Sequence, residues 1–269
     1  MPTDTPPRRN WLLTRWLIVF IVAVFGWGGW RAYAFRSTLS QAKALGWIVE
    51  YTDPVETVWK NWKAAFEKET WLDGVTNVRI PTSEAFEKHL AIVHRLNPKG
   101  LVIDNASTLR DLSALSPLNG LLRLGLTNAT KLTNVDALNN LTALQTVWLN
   151  GCTGLTNLDG LKNLTALQFV YLSGCTALIN VDGLQNLSTL QFIDLSGCTG
   201  LTNLDALKNL SALQTVWLYG CTGLTSVDAL KNLTALQQVY LNGCTGLAKE
   251  SVAALKAALP RTNIYSDYD

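Results

Sequence analysis

The sequence is poor in the residues on which most catalytic and metal sites depend. It has two histidines, His89 and His94, and five cysteines that recur at a fixed spacing. The histidines lie five positions apart in a predicted helix, so they occupy different faces, and no Ser–His–Asp arrangement can be placed around them. The phosphate loop, the dinucleotide-binding glycine pattern and the HExxH zinc motif are missing as well. We therefore predict no catalytic residue, no metal ligand and no cofactor.

A strong net charge of either sign is also missing. The chain has 269 residues and a formal net charge of only +2, while 48% of its residues are hydrophobic. Nucleic-acid-binding proteins usually carry a marked basic excess, and disordered tails lack apolar residues. The composition excludes both classes, and we predict a folded protein without a nucleic-acid partner.

One long apolar segment occurs, close to the N-terminus. It follows a basic tail over residues 1–10 and covers residues 11–35, whose 25 residues would form a helix of about 37 Å. This length exceeds the roughly 30 Å hydrocarbon layer of a bilayer, and tryptophans near both ends suit its two interfaces. We predict a transmembrane anchor. The alternative is a cleaved signal peptide, with the small-x-small pattern "AYA" as its cleavage site.

The orientation of this anchor is predicted from the segment that precedes it. Lys and Arg are balanced on its two sides, so their distribution alone does not set the topology. A short basic tail before a first hydrophobic helix usually stays in the cytoplasm. We therefore expect a single-pass protein with a cytoplasmic N-terminus and an extracytoplasmic remainder. If the segment is cleaved, the remainder is secreted.

Residues 36–77 are predicted to form a helical connector and N-terminal cap. "TLSQAKALG" suggests a short helix that ends at Gly46, and "WIVEY" suggests a strand. An amphipathic helix should follow, with Asp53 as its N-cap and Pro54 at its first position. Its apolar face carries three aromatic residues, which we expect to pack on the end of the following array: Trp59, Trp62 and Phe66.

From residue 78 to residue 247 the sequence repeats every 23 residues. Residues 141–163 and 210–232 agree at 18 of 23 positions, which indicates a tandem duplication. The period predicts strand centres at Val78, Leu101, Leu124, Val147, Val170, Ile193, Val216 and Val239, and a further one near Ile264. The segment "SEAFEKHLAIVHRL" should close the front of the array as one helix, and residues 248–269 should close its back as a capping helix and strand.

Within each unit the apolar residues follow the pattern L-x-x-V-x-L-x-x-C-x-x-L. Alternation around Val147 predicts a strand with one buried side, and the i, i+3, i+6 spacing of the later leucines predicts a tight turn. Asp159 and its equivalents are expected to cap that turn. The pattern resembles the leucine-rich repeat over about residues 78–266. This resemblance implies a right-handed α/β solenoid with a parallel sheet on one face and short helical or extended turns on the other.

The order of the segments carries a second resemblance. A basic tail, the helix ending "GWRAYAFR", the motif "ALGW" and the repeats are together similar to membrane-anchored bacterial leucine-rich-repeat proteins. The resemblance implies anchoring and supplies no ligand.

The five cysteines, Cys152, Cys175, Cys198, Cys221 and Cys244, each follow a strand by one glycine turn. We expect them to point into the core as reduced thiols. Layers about 4.8 Å apart leave a disulfide between neighbours as an alternative, although five cysteines cannot all pair. A metal site would need histidines or carboxylates among the inward-facing residues next to these cysteines, and none recur there.

The sheet face that does not bury the core is the predicted binding surface. Its candidate residues are Trp148, Phe169, Tyr171, Phe192, Asp194, Trp217, Tyr219 and Tyr240. A contiguous aromatic patch around a carboxylate suits a protein, a peptide or a glycan. We therefore expect a non-catalytic, membrane-tethered binding module that uses a concave aromatic face. The alternative is an architectural or self-associating envelope protein, in which the aromatic residues pack on another copy.

Overall fold

The computed structural model describes residues 34, 36–51 and 75–268. The predicted anchor or signal peptide over residues 11–35 lies outside them apart from residue 34, and so does the predicted amphipathic helix with Trp59, Trp62 and Phe66. Within the described ranges, no helix combines the length and the hydropathy needed to cross a bilayer.

The described part of the chain forms one sheet of ten strands in the order in which they occur in the sequence. β1 pairs antiparallel with β2, and every later pair is parallel. The strands are β1 Ile48–Tyr51, β2 Val75–Ile80, β3 Gly100–Ile103, β4 Arg123–Leu126, β5 Thr146–Trp148, β6 Phe169–Tyr171, β7 Phe192–Asp194, β8 Thr215–Trp217, β9 Gln238–Tyr240 and β10 Asn263–Tyr265. A parallel sheet built from successive repeats confirms the solenoid prediction.

The strand register follows the repeat without a shift. Val147 pairs with Leu124 and Val170, and the same series continues to Val239 and Ile264. All nine predicted strand centres therefore lie in one row across the sheet, and eight of them are completely buried. Because each layer is too thin to cover its own leucines, the adjacent layers cover them.

A short 3₁₀ turn lies opposite the sheet in each layer. These turns are Ser113–Leu115, Asp136–Leu138, Asp159–Leu161, Asp182–Leu184, Asp205–Leu207 and Asp228–Leu230. Each ends in a leucine that is fully buried. Three buried leucines in successive steps, as at Leu155, Leu158 and Leu161, confirm the predicted tight turn.

The prediction that the aspartates cap these turns is wrong. Asp159 is the first residue of its turn, and its backbone N–H donates to Asn157 Oδ1 at 3.1 Å. Asn134, Asn180, Asn203 and Ser226 provide the same bond in other layers. The aspartate side chain lies one position too far along the chain to cap, and at Asp159 it pairs with Lys162 at 2.8 Å instead.

The front of the array is closed by the connector and two short helices. Helix α1 covers residues 36–44, and Gly46 ends it in a left-handed conformation at φ 76°, as predicted. The single helix predicted from "SEAFEKHLAIVHRL" is wrong, because α2 (Ser83–Lys88) and α3 (Leu90–Leu96) are separated at His89. The buried Trp47 meets the His89 ring edge to face at this break, so tertiary packing overrides the local helical preference.

The back of the array agrees with the prediction. Helix α4 runs from Lys249 to Ala258 and ends before Pro260. Val252 and Leu255 on its inner side are buried, and β10 then adds the last strand. The longer helix replaces the 3₁₀ turn and covers the leucines that the final layer would otherwise expose.

Candidate functional site

The five cysteines lie at equivalent positions in successive layers, inside the solenoid. All five are free thiols and are buried. Cys198 Sγ donates to Leu172 O at 3.2 Å, and Cys221 Sγ donates to Leu195 O at 3.0 Å in the same way. Burial raises the pKa of the Cys198 thiol to about 12. The prediction of buried, unpaired thiols is confirmed, and a buried neutral thiol is a poor nucleophile.

The opposite face of the sheet carries three columns of side chains, which in the layer of β5 contain Thr146, Trp148 and Asn150 in that order. The middle column is set by backbone register and runs Gly125, Trp148, Tyr171, Asp194, Trp217, Tyr240 and Tyr265. Consecutive members lie on neighbouring strands, about 4.8 Å apart. Parallel in-register pairing therefore brings residues together that are 23 positions apart in the sequence.

Aromatic rings on this face form one continuous series of contacts, which we call the aromatic ladder. Its members are Trp148, Tyr171, Phe192, Trp217, Tyr240 and Tyr265, with successive ring-centroid distances of 5.9, 4.8, 5.0, 6.0 and 4.6 Å. Asp194, the middle-column residue of β7, has no ring. Phe192 on the same strand belongs to the neighbouring column, and its ring contacts both Tyr171 and Trp217 in place of a middle-column ring. The ladder spans six strands without a gap.

Two of the predicted site residues lie beside the ladder. Tyr219, in the third column, is 40% exposed, and its ring lies 5.2 Å from that of Tyr240. Phe169 is half-buried in the first column, in register with Thr146 and Phe192. The candidate residues are therefore neighbours, as expected from the repeat.

Tyr265 is a ladder residue that the sequence prediction missed. It stacks on Tyr240 at an interplanar angle of 12° and is 41% exposed. The signal was present, because Tyr265 follows the predicted strand centre Ile264 as Tyr240 follows Val239. The sequence around the last strand differs from the repeat unit, so Tyr265 was not aligned with Tyr240 in the prediction.

Asp194 is the only acidic residue in the middle column, and the residue is only 7% exposed. Its Oδ1 accepts a hydrogen bond from Ser196 N at 2.9 Å. Burial, and to a smaller degree the Asp194 carboxylate, raise the pKa of the Tyr171 hydroxyl. Three buried polar atoms on this face also have no hydrogen-bond partner among the described residues: Asn150 Oδ1, Ser196 Oγ and Trp217 Nε1.

The N-terminal end of the same face is charged rather than aromatic. Arg79 pairs with Asp104 at 2.6 Å, and Arg123 donates to Asn77 at 3.0 Å. Gly125 lies next to Trp148 in the middle column, so this column has no side chain at the point where the ladder begins. The outward face therefore has charged side chains of both signs at its N-terminal end and aromatic side chains over the rest.

Comparison with known proteins agrees with this architecture. Residues 126–248 match the model of the BspA-type leucine-rich-repeat region, in six copies. This segment of the chain carries leucine-rich repeats. Each 23-residue unit in it contributes one parallel strand, and five of the units contribute one buried cysteine each.

Two solved structures show the same fold. Internalin C2 from Listeria monocytogenes is similar with a TM-score of 0.57 and 23% identity, over 74% of this chain and 84% of internalin C2. A leucine-rich-repeat protein from Leptospira interrogans is similar with a TM-score of 0.53 and 17% identity, over 74% of this chain and 56% of that protein. No curated protein is significantly similar in sequence.

Leucine-rich-repeat domains generally serve as protein-binding scaffolds. Within the described ranges, no group of three or more His, Cys, Asp or Glu side chains is placed to hold a metal ion. His94 Nε2 is hydrogen-bonded to Ala114 O at 2.8 Å, and His89 lies at the break between α2 and α3. The aromatic ladder and Asp194 are therefore the candidate site.

Proposed function

We propose that this leucine-rich-repeat array is a non-catalytic module that binds a protein or peptide through the aromatic ladder. The observation that supports the proposal is the unbroken contact of six rings along the sheet face that the core does not use. Aromatic side chains are the usual energetic anchors of protein interfaces because they bury much area at a small loss of conformational entropy.

The dimensions of the ladder favour an extended ligand. Six neighbouring strands at a spacing of about 4.8 Å give a length of about 24 Å. An extended peptide of about seven residues has the same length. A single sugar ring would contact only one or two of the six rings, so a peptide or protein surface uses the site more fully than a monosaccharide does.

The rings are held in place before a ligand arrives. Tyr171, Phe192 and Trp217 are half-buried against one another, and the strands beneath them are hydrogen-bonded in register. A ligand that docks on ordered side chains loses less conformational entropy on binding than one that must order them. This organisation supports binding and equally allows stacking for stability alone, so substitution must separate the two.

We also propose that residues 11–35 tether the array to a membrane, with the N-terminus in the cytoplasm and the repeats on the other side. The support is the length of the apolar segment and the tryptophans at its ends. Full-length protein should stay in the membrane fraction of expressing cells after a carbonate wash. A soluble chain that starts near Phe35 would instead indicate a cleaved signal peptide and a secreted protein.

The binding proposal is tested by replacing Trp148, Tyr171 and Trp217 with serine in the full-length chain. Ile179→Ser is the matched control, because Ile179 is 57% exposed and lies outside the ladder. Partners are captured from lysates of the producing cells with wild type, the triple variant and the control. We expect wild type and Ile179→Ser to retain the same partners and the triple variant to lose them.

The alternative, an architectural protein that associates with itself, gives a different result. In that case the triple variant changes the sedimentation of the purified chain, while the set of captured proteins stays the same. Near-ultraviolet circular dichroism and the unfolding midpoint of each variant show that the array is still folded. A folded triple variant that captures the wild-type partners contradicts the binding proposal.

A further inference from the structure

The buried carboxylate of Asp194 is unusual for its position in the ladder. Asp194 lies between Tyr171 on one neighbouring strand and Trp217 on the other. Every other residue of the middle column from β5 to β10 is aromatic. An aromatic residue would continue the stacking at this level, and its place is taken by Phe192 from the next column.

The Asp194 carboxylate lacks a compensating positive charge. Its one hydrogen bond among the described residues joins Oδ1 to the backbone N–H of Ser196, and no ion pair in this part of the chain includes Asp194. The outward columns from β5 to β9 contain no Lys or Arg. The basic residue of the face closest to Asp194 in strand order is Arg123, three strands away or about 14 Å.

A ligand that covers the ladder must remove the remaining water from this carboxylate. Burying an unpaired carboxylate is strongly unfavourable, and an apolar ligand surface cannot offset this cost. A cationic group can offset it by pairing with the carboxylate. The same group would also be attracted by the rings of Tyr171, Phe192 and Trp217, which carry negative potential on their faces.

We propose, on the basis of the binding function above, that the partner protein places a Lys or Arg side chain against Asp194 between these three rings. The ladder provides the apolar contact, and Asp194 selects for the basic residue. Apolar surfaces that would otherwise adhere to the rings are disfavoured, because they leave the carboxylate buried without a partner. The site therefore recognises a segment with one basic residue among apolar neighbours.

The direct test uses small probes that represent this side chain. The full-length chain is labelled with 5-fluorotryptophan, and the Trp217 signal is assigned with a Trp217→Phe variant. It is then titrated with Nα-acetyl-lysine methylamide and with the uncharged Nα-acetyl-norleucine methylamide. We expect a saturable shift of the Trp217 signal with the lysine probe and at least about fivefold weaker binding of the norleucine probe.

Two variants locate the effect. Asp194→Asn should reduce binding of the lysine probe to the level of the norleucine probe, because the amide keeps the shape and loses the charge. Asp205→Asn is the control, since Asp205 is an exposed carboxylate on the 3₁₀ turns at the other side of the array. Equal responses to both probes, or an unchanged response in Asp194→Asn, would overturn the inference.

A second measurement separates this inference from the binding proposal. Twelve-residue peptides displayed on phage are selected on the full-length chain, and bound peptides are resynthesised with each Lys or Arg replaced by norleucine. We expect the replacement to weaken binding at least about tenfold to wild type and to have little effect on Asp194→Asn. Peptides that need the ladder but no basic residue would overturn the role of Asp194 and leave the binding proposal intact. If no peptide is selected, the binding proposal fails for peptides, and the probe titration still decides the inference.

The cation could also be Arg123 of a second copy, and this outcome is measurable. In that case the wild-type chain sediments as a dimer without ligand, and both Asp194→Asn and Arg123→Gln make it a monomer. Such a result would overturn the foreign partner. A wild-type monomer that binds the lysine probe supports it.

Discussion

Replacing Gly160 with alanine tests how closely the layers of the solenoid approach one another. Gly160 lies in the 3₁₀ turn Asp159–Leu161, against the preceding layer. A Cβ atom added there would overlap the carbonyl group of Val135 and lie 2.7 Å from Asp136 Cα. Two carbon atoms in van der Waals contact are about 3.5 to 4.0 Å apart. The two backbones must therefore separate by about 0.8 Å or more.

The size of the effect follows from this separation. A gap of 0.5 to 1 Å forfeits roughly a quarter to a half of the dispersion energy between the facing groups, and overpacking of this kind costs about 1 to 3 kcal/mol. Alanine stabilises by about 0.4 to 1 kcal/mol, because it restricts the unfolded chain. We expect Gly160→Ala to lower the free energy of unfolding by about 1 to 1.5 kcal/mol. Alanine at the equivalent positions 137, 206 and 229 shows that the turn itself accepts a Cβ atom.

The assay is urea unfolding followed by circular dichroism. Arrays in which each layer contacts only its neighbours can lose cooperativity, so midpoints are compared only where the slopes agree. Gly120→Ala is the control, because a Cβ atom there meets only the flexible end of Lys99, at 3.0 Å. A Gly160→Ala protein within about 0.5 kcal/mol of both wild type and the control would refute the reasoning about layer contact.

Three further predictions concern the core, the turns and the thiols. Leu184→Ala in a central layer should cost about 3 to 5 kcal/mol in urea unfolding, since Leu184 is fully buried, and a cost under 1 kcal/mol would contradict the described core. Asn157→Ala should cost about 1 kcal/mol by removing the bond to Asp159 N, whereas Asp159→Ala should cost less because its ion pair is exposed; the reverse order would contradict the corrected capping scheme. The pKa of the Cys198 thiol is about 12 in the folded chain, against an ordinary value of 9.0 for an exposed thiol. As pH rises, the unfolded chain therefore loses this proton before the folded chain does. Stability should therefore fall as pH rises from about 9 towards 12, and Cys198→Ala should reduce this fall by up to about 1.4 kcal/mol per pH unit. Equal pH slopes for wild type and Cys198→Ala would show that this thiol is not responsible.

The repeat period was sufficient to predict the backbone of the array. Each 23-residue unit occupies one layer, so residues at equal positions in successive units share a column. The strand centres, the inward cysteines and the aromatic column follow from this 23-residue period. Tyr265 obeys the same rule, and it was missed because the sequence around the last strand diverges from the unit.

Other local details could not be read from the pattern. If Asp159 were the cap, the turn would begin at the next residue. The turn begins at Asp159 itself, so the capping side chain comes from Asn157, two residues earlier. The break at His89 depends on Trp47, which lies 42 positions earlier in the chain. Contacts of this kind join segments that no local period relates.

The sequence by itself determined which side chains face inward and which face outward, because alternation along a strand and a constant repeat length leave one consistent stacking. Only the tertiary structure decided how the outward side chains meet. Phe192 crosses from its own column to lie between Tyr171 and Trp217, and Asp194 becomes buried without a positive partner. Both depend on the packing of side chains from three different strands, whereas the repeat specifies only the column in which each residue lies.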